Sequence, residues 1–275
     1  WPNHPLGMSL AGTFESVSSF TRKQVADFQG RFYQPANIVV SVSGDIEHNK
    51  VFELLSKKFS QAKAKPGINF KKAKGGQKRP ASRFFYKKTE QSHLAIGYQS
   101  YKRNHPDRHG VSLLHIILGA NMSSRLFNEV REKKGLAYEI GTQARYFYDT
   151  GAFFIHAGVD NRKVIPAVST ILNETRKISQ KPVSKNEFLR AREYYTGQLL
   201  MSLEDTLDHM LWLGEQESAL RKIKTAQDVL QEINLVTIDD LSRVAADIFK
   251  GNNLCLALIG PQSDDEQSRI SRILQ

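Results

Sequence analysis

Cysteine is almost missing from this chain: of 275 residues only Cys255 carries a thiol, so no disulfide within the chain is possible. Its place in the alternating run Leu254–Leu258 reads as a small apolar core position, not a reactive thiol. No apolar run approaches the roughly 20 residues that a membrane-spanning helix needs. The first residues, Trp-Pro-Asn-His-Pro, show neither an initiator methionine nor a signal-peptide pattern, as expected of a piece of a longer protein. The cellular compartment stays undecided. Acids are absent from Leu54 to Thr89, where twelve Lys or Arg fall; subtracting these from the net charge of +11 leaves −1. The basic excess is therefore local. Lys63–Pro80 also holds Pro66, Gly67, Gly75 and Gly76, the composition of a solvated linker. Phe70 is the one aromatic inside that run. Nucleic-acid binding needs stacking aromatics interleaved with charge on a folded face, so the pattern argues against such a partner.

What the chain does have is a repeat. Thr21–Gly44 recurs without a gap 216 residues later as Thr237–Gly260. Val25 and Phe28 match Leu241 and Val244, Asn37 matches Asn253, and Ile38, Val40 and Val42 match Leu254, Leu256 and Leu258. Each copy reads as an amphipathic helix, a short turn and an alternating strand, followed by a second helix. The second copy closes a complete unit; the first lies near the start, so its unit is truncated at its N-terminus. A helix–strand pair without a partner layer cannot bury its apolar face. Residues 1–60 must therefore pack on the second unit or on an upstream segment.

Along the chain, helices are expected at Arg22–Phe32 and about Lys50–Phe59, with a strand at Asn37–Ser43 between them. The second unit opens with strands at Phe84–Lys88 and His93–Ser100. A helix over Asp107–Leu118 follows, which Gly119 would end in the C′ role. Ser123 or Ser124 would cap the next helix, running to Lys134 and ended by Gly135. Strands Ala137–Phe147 and Ala152–Val159 flank the turn at Asp149–Gly151. Helices follow at Lys163–Ser179, Lys185–Leu203, Thr206–Leu220 and Ala226–Ile233. Strands first and helices afterwards make this α+β, with helices packed on a largely antiparallel sheet.

Four stretches carry a family resemblance. Asn3-His4-Pro5-Leu6-Gly7 with Gly12-Thr13, Gly119 with Met122-Ser123-Ser124-Arg125-Leu126-Phe127, Arg131 to Tyr138, and Asp149 with Gly151-Ala152-Phe153 and Ala157-Gly158 all resemble the insulinase-like (pitrilysin-type) zinc metallopeptidases. The resemblance covers essentially the whole chain. It implies two homologous α+β domains: 1–62 as the end of the first, catalytic-type domain, 63–80 as a basic linker, and 81–275 as a complete second domain that clamps substrate. The family's zinc site is H-x-x-E-H on an early helix, in which two imidazoles one turn apart hold the metal and the glutamate serves as general base. That motif is absent here. Of the eight histidines (His4, His48, His93, His105, His109, His115, His156 and His209), only His105 and His109 have the i, i+4 spacing, and Pro106 lies between them.

The resemblance therefore implies zinc in the intact protein or complex and none bound by this chain, with no catalytic residue to carry over. It assigns substrate binding to Arg131 and Tyr138. Arginine offers a fork of donors to peptide carbonyls, and a tyrosine hydroxyl can donate to an oxygen that gains negative charge. Glu129 and Lys133, at i, i+4, read as a solvated helix face. The expected substrate is a peptide or unfolded polypeptide. The expected partner is a missing N-terminal segment or a subunit bearing the motif, with a dimer possible. The alternative is a non-catalytic structural or partner subunit of the same fold.

Overall fold

The computed structural model describes residues 1, 3–59 and 70–275, which divide into two compact units: Trp1–Lys74 with Leu200–Thr225, and Gly75–Leu199 with Ala226–Gln275. In the first lie α1 (Phe14–Ser18), α2 (Arg22–Phe32), α3 (His48–Phe59) and, much later in the chain, the helix α7 (Thr206–Leu220). The basic run expected at Lys63–Pro80 falls partly at 63–69, outside the described residues.

The second unit is built on one sheet. Strands β1 (Ala81–Tyr86), β2 (Gln91–Ser100), β3 (Ala137–Tyr146), β4 (Gly151–Asp160) and β5 (Leu254–Gly260) stand in the order β1-β5-β2-β4-β3. Only β1–β5 is parallel. The period of two in these sequences sorts the side chains. Ile96, Phe153, Ile155, Leu256 and Leu258 point to one face and are buried there. Covering that face are α4 (Arg108–Gly119), α5 (Val164–Gln180) and α9 (Ile238–Ile248). Also in this unit are most of α6 (Lys185–Ser202), α8 (Ala226–Leu235) and α10 (Asp264–Ile273). The opposite face has no helical layer in this unit, and its residues alternate as exposed or half-buried.

The repeat survives in the backbone. α2 and α9 begin after Thr21 and Thr237, each closing a capping box, with Gln24 and Asp240 respectively. Single 3-10 turns follow at Pro35–Asn37 and Gly251–Asn253, and α3 starts 216 residues before α10. The strand expected at Asn37–Ser43 is the exception. Ile38 has extended torsions like Leu254 (φ −109° and −77°, both ψ 130°), yet residues 38–43 join no sheet among the described residues. A strand exists only through the neighbour it bonds to, and Leu254–Gly260 has two. Ser41 instead donates from Oγ to the Met210 carbonyl of α7, 2.8 Å away. The difference in burial is as sharp: Val25 and Phe28 are 59% and 57% exposed where Leu241 and Val244 are 1% and 0%.

Three local expectations change. Cys255 is exposed on the open face of the sheet, its thiol 3.0 Å from Gln77 Oε1, because the buried parity of β5 belongs to Leu254, Leu256 and Leu258. Gln77 Nε2 also donates to the Leu254 carbonyl, which holds the end of the linker against β5. Gly119 is the last residue of α4 and is followed by Ala120 in right-handed torsions, so no left-handed cap is formed. Its lack of a side chain is a matter of space: a Cβ there would lie 2.6–2.9 Å from the Cγ2, N and Oγ1 of Thr142 on β3. Neither Ser123 nor Ser124 caps the following helix through its side chain, and Ser124 Oγ is buried without a partner among the described residues. Gly135 does end that helix with φ +56°.

Overpacking at a site touching backbone costs about 1–3 kcal/mol, so Gly119→Ala should lower the unfolding free energy measured in denaturant by that much. Gly197→Ala, within α6 and with no neighbour inside 4 Å, should raise stability by about 0.5–1 kcal/mol. Equal effects from both would refute the close-approach account.

Candidate functional site

Between α4 and β3 the chain builds a rim. Asn121 Oδ1 accepts from the Ser123 N–H, which tightens the turn after α4. Arg125 then leaves that turn and clamps Glu187 of α6 with two parallel bonds of 2.7 and 2.6 Å. This carboxylate holds the Arg125 guanidinium above its ordinary pKa. Leu126 and Val130 insert fully into the core. The charge of Arg125 is thus spent on holding the segment in place.

The segment those anchors hold is a π-helix, Phe127–Lys133, in place of the α-helix that the spacing suggests. Such wide turns are rare and recur at functional sites. Arg131 lies in its last turn, with its guanidinium 4.8 Å from the centroid of the Phe127 ring. Its Nε is 3.9 Å from Glu132, and the side chain remains 47% exposed. The Gly135 N–H donates to the Arg131 carbonyl and the Leu136 N–H to the Val130 carbonyl, turning the chain into β3. There the pairing slips: Ala137 opposes Val159 while Glu139 opposes Gly158, leaving Tyr138 as the extra residue of a β-bulge. Bulges re-aim side chains. Tyr138 and Glu139 are both exposed between buried Ala137 and Ile140, so two successive residues leave the core, where regular alternation allows one. Tyr138 is 69% exposed. Among the described residues no hydrogen bond joins Arg131 to Tyr138 or ties either tip to the fold. Lys133 pairs with Glu129 at 2.5 Å, and Lys134 donates to Thr170 Oγ1.

The histidines are dispersed. His4 accepts from the Leu6 N–H at Nδ1, so Nε2 carries the proton donated to the Lys71 carbonyl. His48 opens α3 and stacks on Phe52, and His209 lies beside Trp212. His105 stacks on Tyr101, while His109 is buried between Tyr195 and Glu232. His115 was not singled out by the sequence. Thr142 Oγ1 gives its single proton to the His115 carbonyl, so His115 Nδ1–H donates to that oxygen at 2.7 Å. Burial, and then the nearby His156, holds the His115 imidazole below its ordinary pKa. His156 and Glu139 approach to 3.8 Å on the open face, a meeting that only the strand register reveals. Among the described residues no three His, Cys, Asp or Glu are grouped to hold a metal ion.

Residues 19–195 match the family described as peptidase M16 inactive domain. An uncharacterized zinc protease of Streptomyces coelicolor is 31% identical over 274 residues, covering 98% of this chain and 60% of that protein. One of Bacillus subtilis is 30% identical over 265 residues, covering 95% and 63%. The chain thus spans about three fifths of the length of these curated relatives. Among solved structures, a peptidase M16 inactive domain from Pseudomonas fluorescens aligns with TM-score 0.87 at 18% identity, over 96% of this chain and 63% of that one. A chain of complex III2 from Candida albicans aligns with TM-score 0.81 at 16% identity, over 98% and 66%. At such identities the likeness is one of fold.

Removing one partner of a largely buried ion pair costs about 3–5 kcal/mol, so Arg125→Ala should destabilise the second unit by close to 3 kcal/mol in chemical denaturation. A change below about 0.5 kcal/mol would mean that the clamp contributes nothing. His115 folds in its neutral form while the unfolded chain takes up a proton near pH 6.5, so stability should decline as pH falls below about 6.5. His115→Gln should flatten that limb of the stability–pH curve, and an unaltered limb would assign it to another group.

Proposed function

The chain belongs to the peptidase M16 family, carrying its inactive domain, and from that premise we propose that it is the substrate-clamping part of a zinc metallopeptidase. It encloses peptide or unfolded polypeptide against a half bearing H-x-x-E-H, and that half supplies zinc for activating water. The half is an upstream segment of the same polypeptide or a separate subunit. On this reading residues 1–62 finish the catalytic-type domain, 63–80 link, and 81–275 form the clamp. The exposed apolar stripe of the first repeat copy, with Val25 and Phe28 bare where Leu241 and Val244 are covered, supports a partner layer from that half.

One observation carries the proposal. The motif residues around the rim are consumed by packing, Gly119 against Thr142 and Arg125 against Glu187, whereas Arg131 and Tyr138 are held out by a π-helix and a bulge. Unusual backbone that presents two donors to solvent is a poor investment for stability alone. The Arg131 guanidinium offers parallel donors to the carbonyls of an extended peptide, fixing its register. The Tyr138 hydroxyl donates to the oxygen that becomes negative as the peptide bond is attacked. Neither group needs to move a proton or touch a metal.

In the full protein, Arg131→Ala or Tyr138→Phe should lower kcat/KM for a quenched peptide by about 10²–10³, the cost of one lost donor at a reacting centre. Zinc content and melting temperature should not change. Wild-type turnover in both variants would reject the assignment. A full protein that shows no turnover and retains no zinc after dialysis would instead be the non-catalytic partner of the same fold.

A further inference from the structure

The sheet of the second unit has two edges, and they differ. β3 is broken by the bulge at Tyr138 and carries Glu139 and Arg145. β1, at the other end of the strand order, pairs with β5 in unbroken register from Ala81 to Tyr86. It contains no proline and a single charge, Arg83, while Phe85 and Tyr86 are 56% and 74% exposed. Natural sheets blunt a free edge with several charges, proline or a bulge, because unpaired backbone groups are a template for another strand. The β1 edge is barely guarded.

The direction of its free groups follows from one bond. The Lys87 N–H donates to the Gly260 carbonyl, and Gly260 stands opposite Tyr86. In a parallel ladder a residue turns its N–H and C=O to the same side, and the sides alternate along the strand. Ala81, Arg83 and Phe85 therefore bond toward β5, and Ser82, Phe84 and Tyr86 turn their backbone groups outward. The side chains of Ser82 and Phe84 share the parity of Leu256 and Leu258, so they lie on the helix side. There α10 runs back along the strand and brings Ser271 Oγ to 3.2 Å from Ser82 Oγ. Between them is a groove of about 560 Å³ lined by Phe84, Asp264, Gln267, Ser268, Ser271 and Arg272. Asp264 and Arg272 mark its two ends, and neither has an ion-pair partner among the described residues. Arg272 Nε reaches the Ser268 carbonyl of its own helix at 3.4 Å.

We propose that this edge is the interface for a second copy of the chain, formed by antiparallel pairing of β1 with β1 about a twofold axis at Phe84. Such an axis sets Phe84 against Phe84 of the second copy, and Ser82 against its Tyr86. All of these residues face outward, so each pair exchanges two backbone hydrogen bonds. Between them Arg83 stands opposite Phe85 of the second copy, a cation beside an aromatic ring and not beside another cation. On the helix side the same axis lays α10 antiparallel to its copy, across the small side chains of Ser268 and Ser271. Asp264 of each copy then faces Arg272 of the other. A twofold contact must complement itself, and a groove with opposite charges at its two ends meets that requirement. The inference does not depend on the clamp reading.

The test is sedimentation velocity of the full protein from low to high micromolar concentration, with hydrogen exchange measured over the same range. The mass should double as concentration rises, and exchange at the amides of Ser82, Phe84 and Tyr86 should slow with it. Asp264→Arg sets like charges against each other at both ends of the groove and should weaken dimerisation about tenfold, the effect of two exposed pairs. Arg272→Asp should do the same. Combining Asp264→Arg with Arg272→Asp restores opposite charges and should recover the wild-type affinity, which a damaged fold could not do. A constant monomer mass, a dimer indifferent to the single reversals, or a double variant no tighter than either single one would each overturn the proposal. So would edge amides whose exchange does not change with concentration.

Discussion

The contact on which the second unit's arrangement turns is the approach of a helix end to an edge strand, Gly119 against Thr142. With no Cβ at 119, α4 comes down on β3 closely enough for Thr142 to bond both the carbonyl and the imidazole of His115. That contact fixes where the chain leaves α4, and every later step is measured from it. Arg125, which reaches across to Glu187, the buried Leu126 and Val130, the π-helix and the bulge all lie within the twenty residues that follow. The rim's anchors are taken up by packing, while Arg131 and Tyr138 face outward.

Much of this was legible in the sequence because the signals are local. The repeat that starts at Thr21 and Thr237, the period-two strands and the hairpin at Asp149–Gly151 each depend on a few neighbouring residues, and most of the elements formed close to their expected bounds. What misled were features set by distant partners. Residues 38–43 have a strand's alternation and torsions but no strand to bond, so sheet membership could not be read from them. Gly119 sits where a helix-ending glycine would, yet its reason is a residue 23 positions away. Cys255 has an apolar run around it, but only the parity of β5 decides that it faces outward. The π-helix and the bulge add a residue to a turn or to a strand, and no spacing rule announces either. Arg131 and Tyr138 were singled out only through a resemblance; the approach of His156 to Glu139 needed the register of two strands.

The two repeat copies make a comparison that few single chains allow. The same capping box, 3-10 turn and following helix form in both, so the local sequence is enough to specify them. Burial differs almost completely between Val25 and Leu241, or Phe28 and Val244. Local conformation is therefore encoded within the helix–turn–strand segment, while its stabilisation comes from the layer laid over it.

Where a substrate lies is the question that divides this account from one in which the rim is only structural. Photo-crosslinking answers it without relying on turnover: a peptide carrying a photoreactive residue is bound to the full protein, irradiated, and the labelled positions are mapped by mass spectrometry. The account predicts labels on 131–139 and on the open-face residues His93 and His156. Labels confined to the helical side, on α5 or α6, would contradict it.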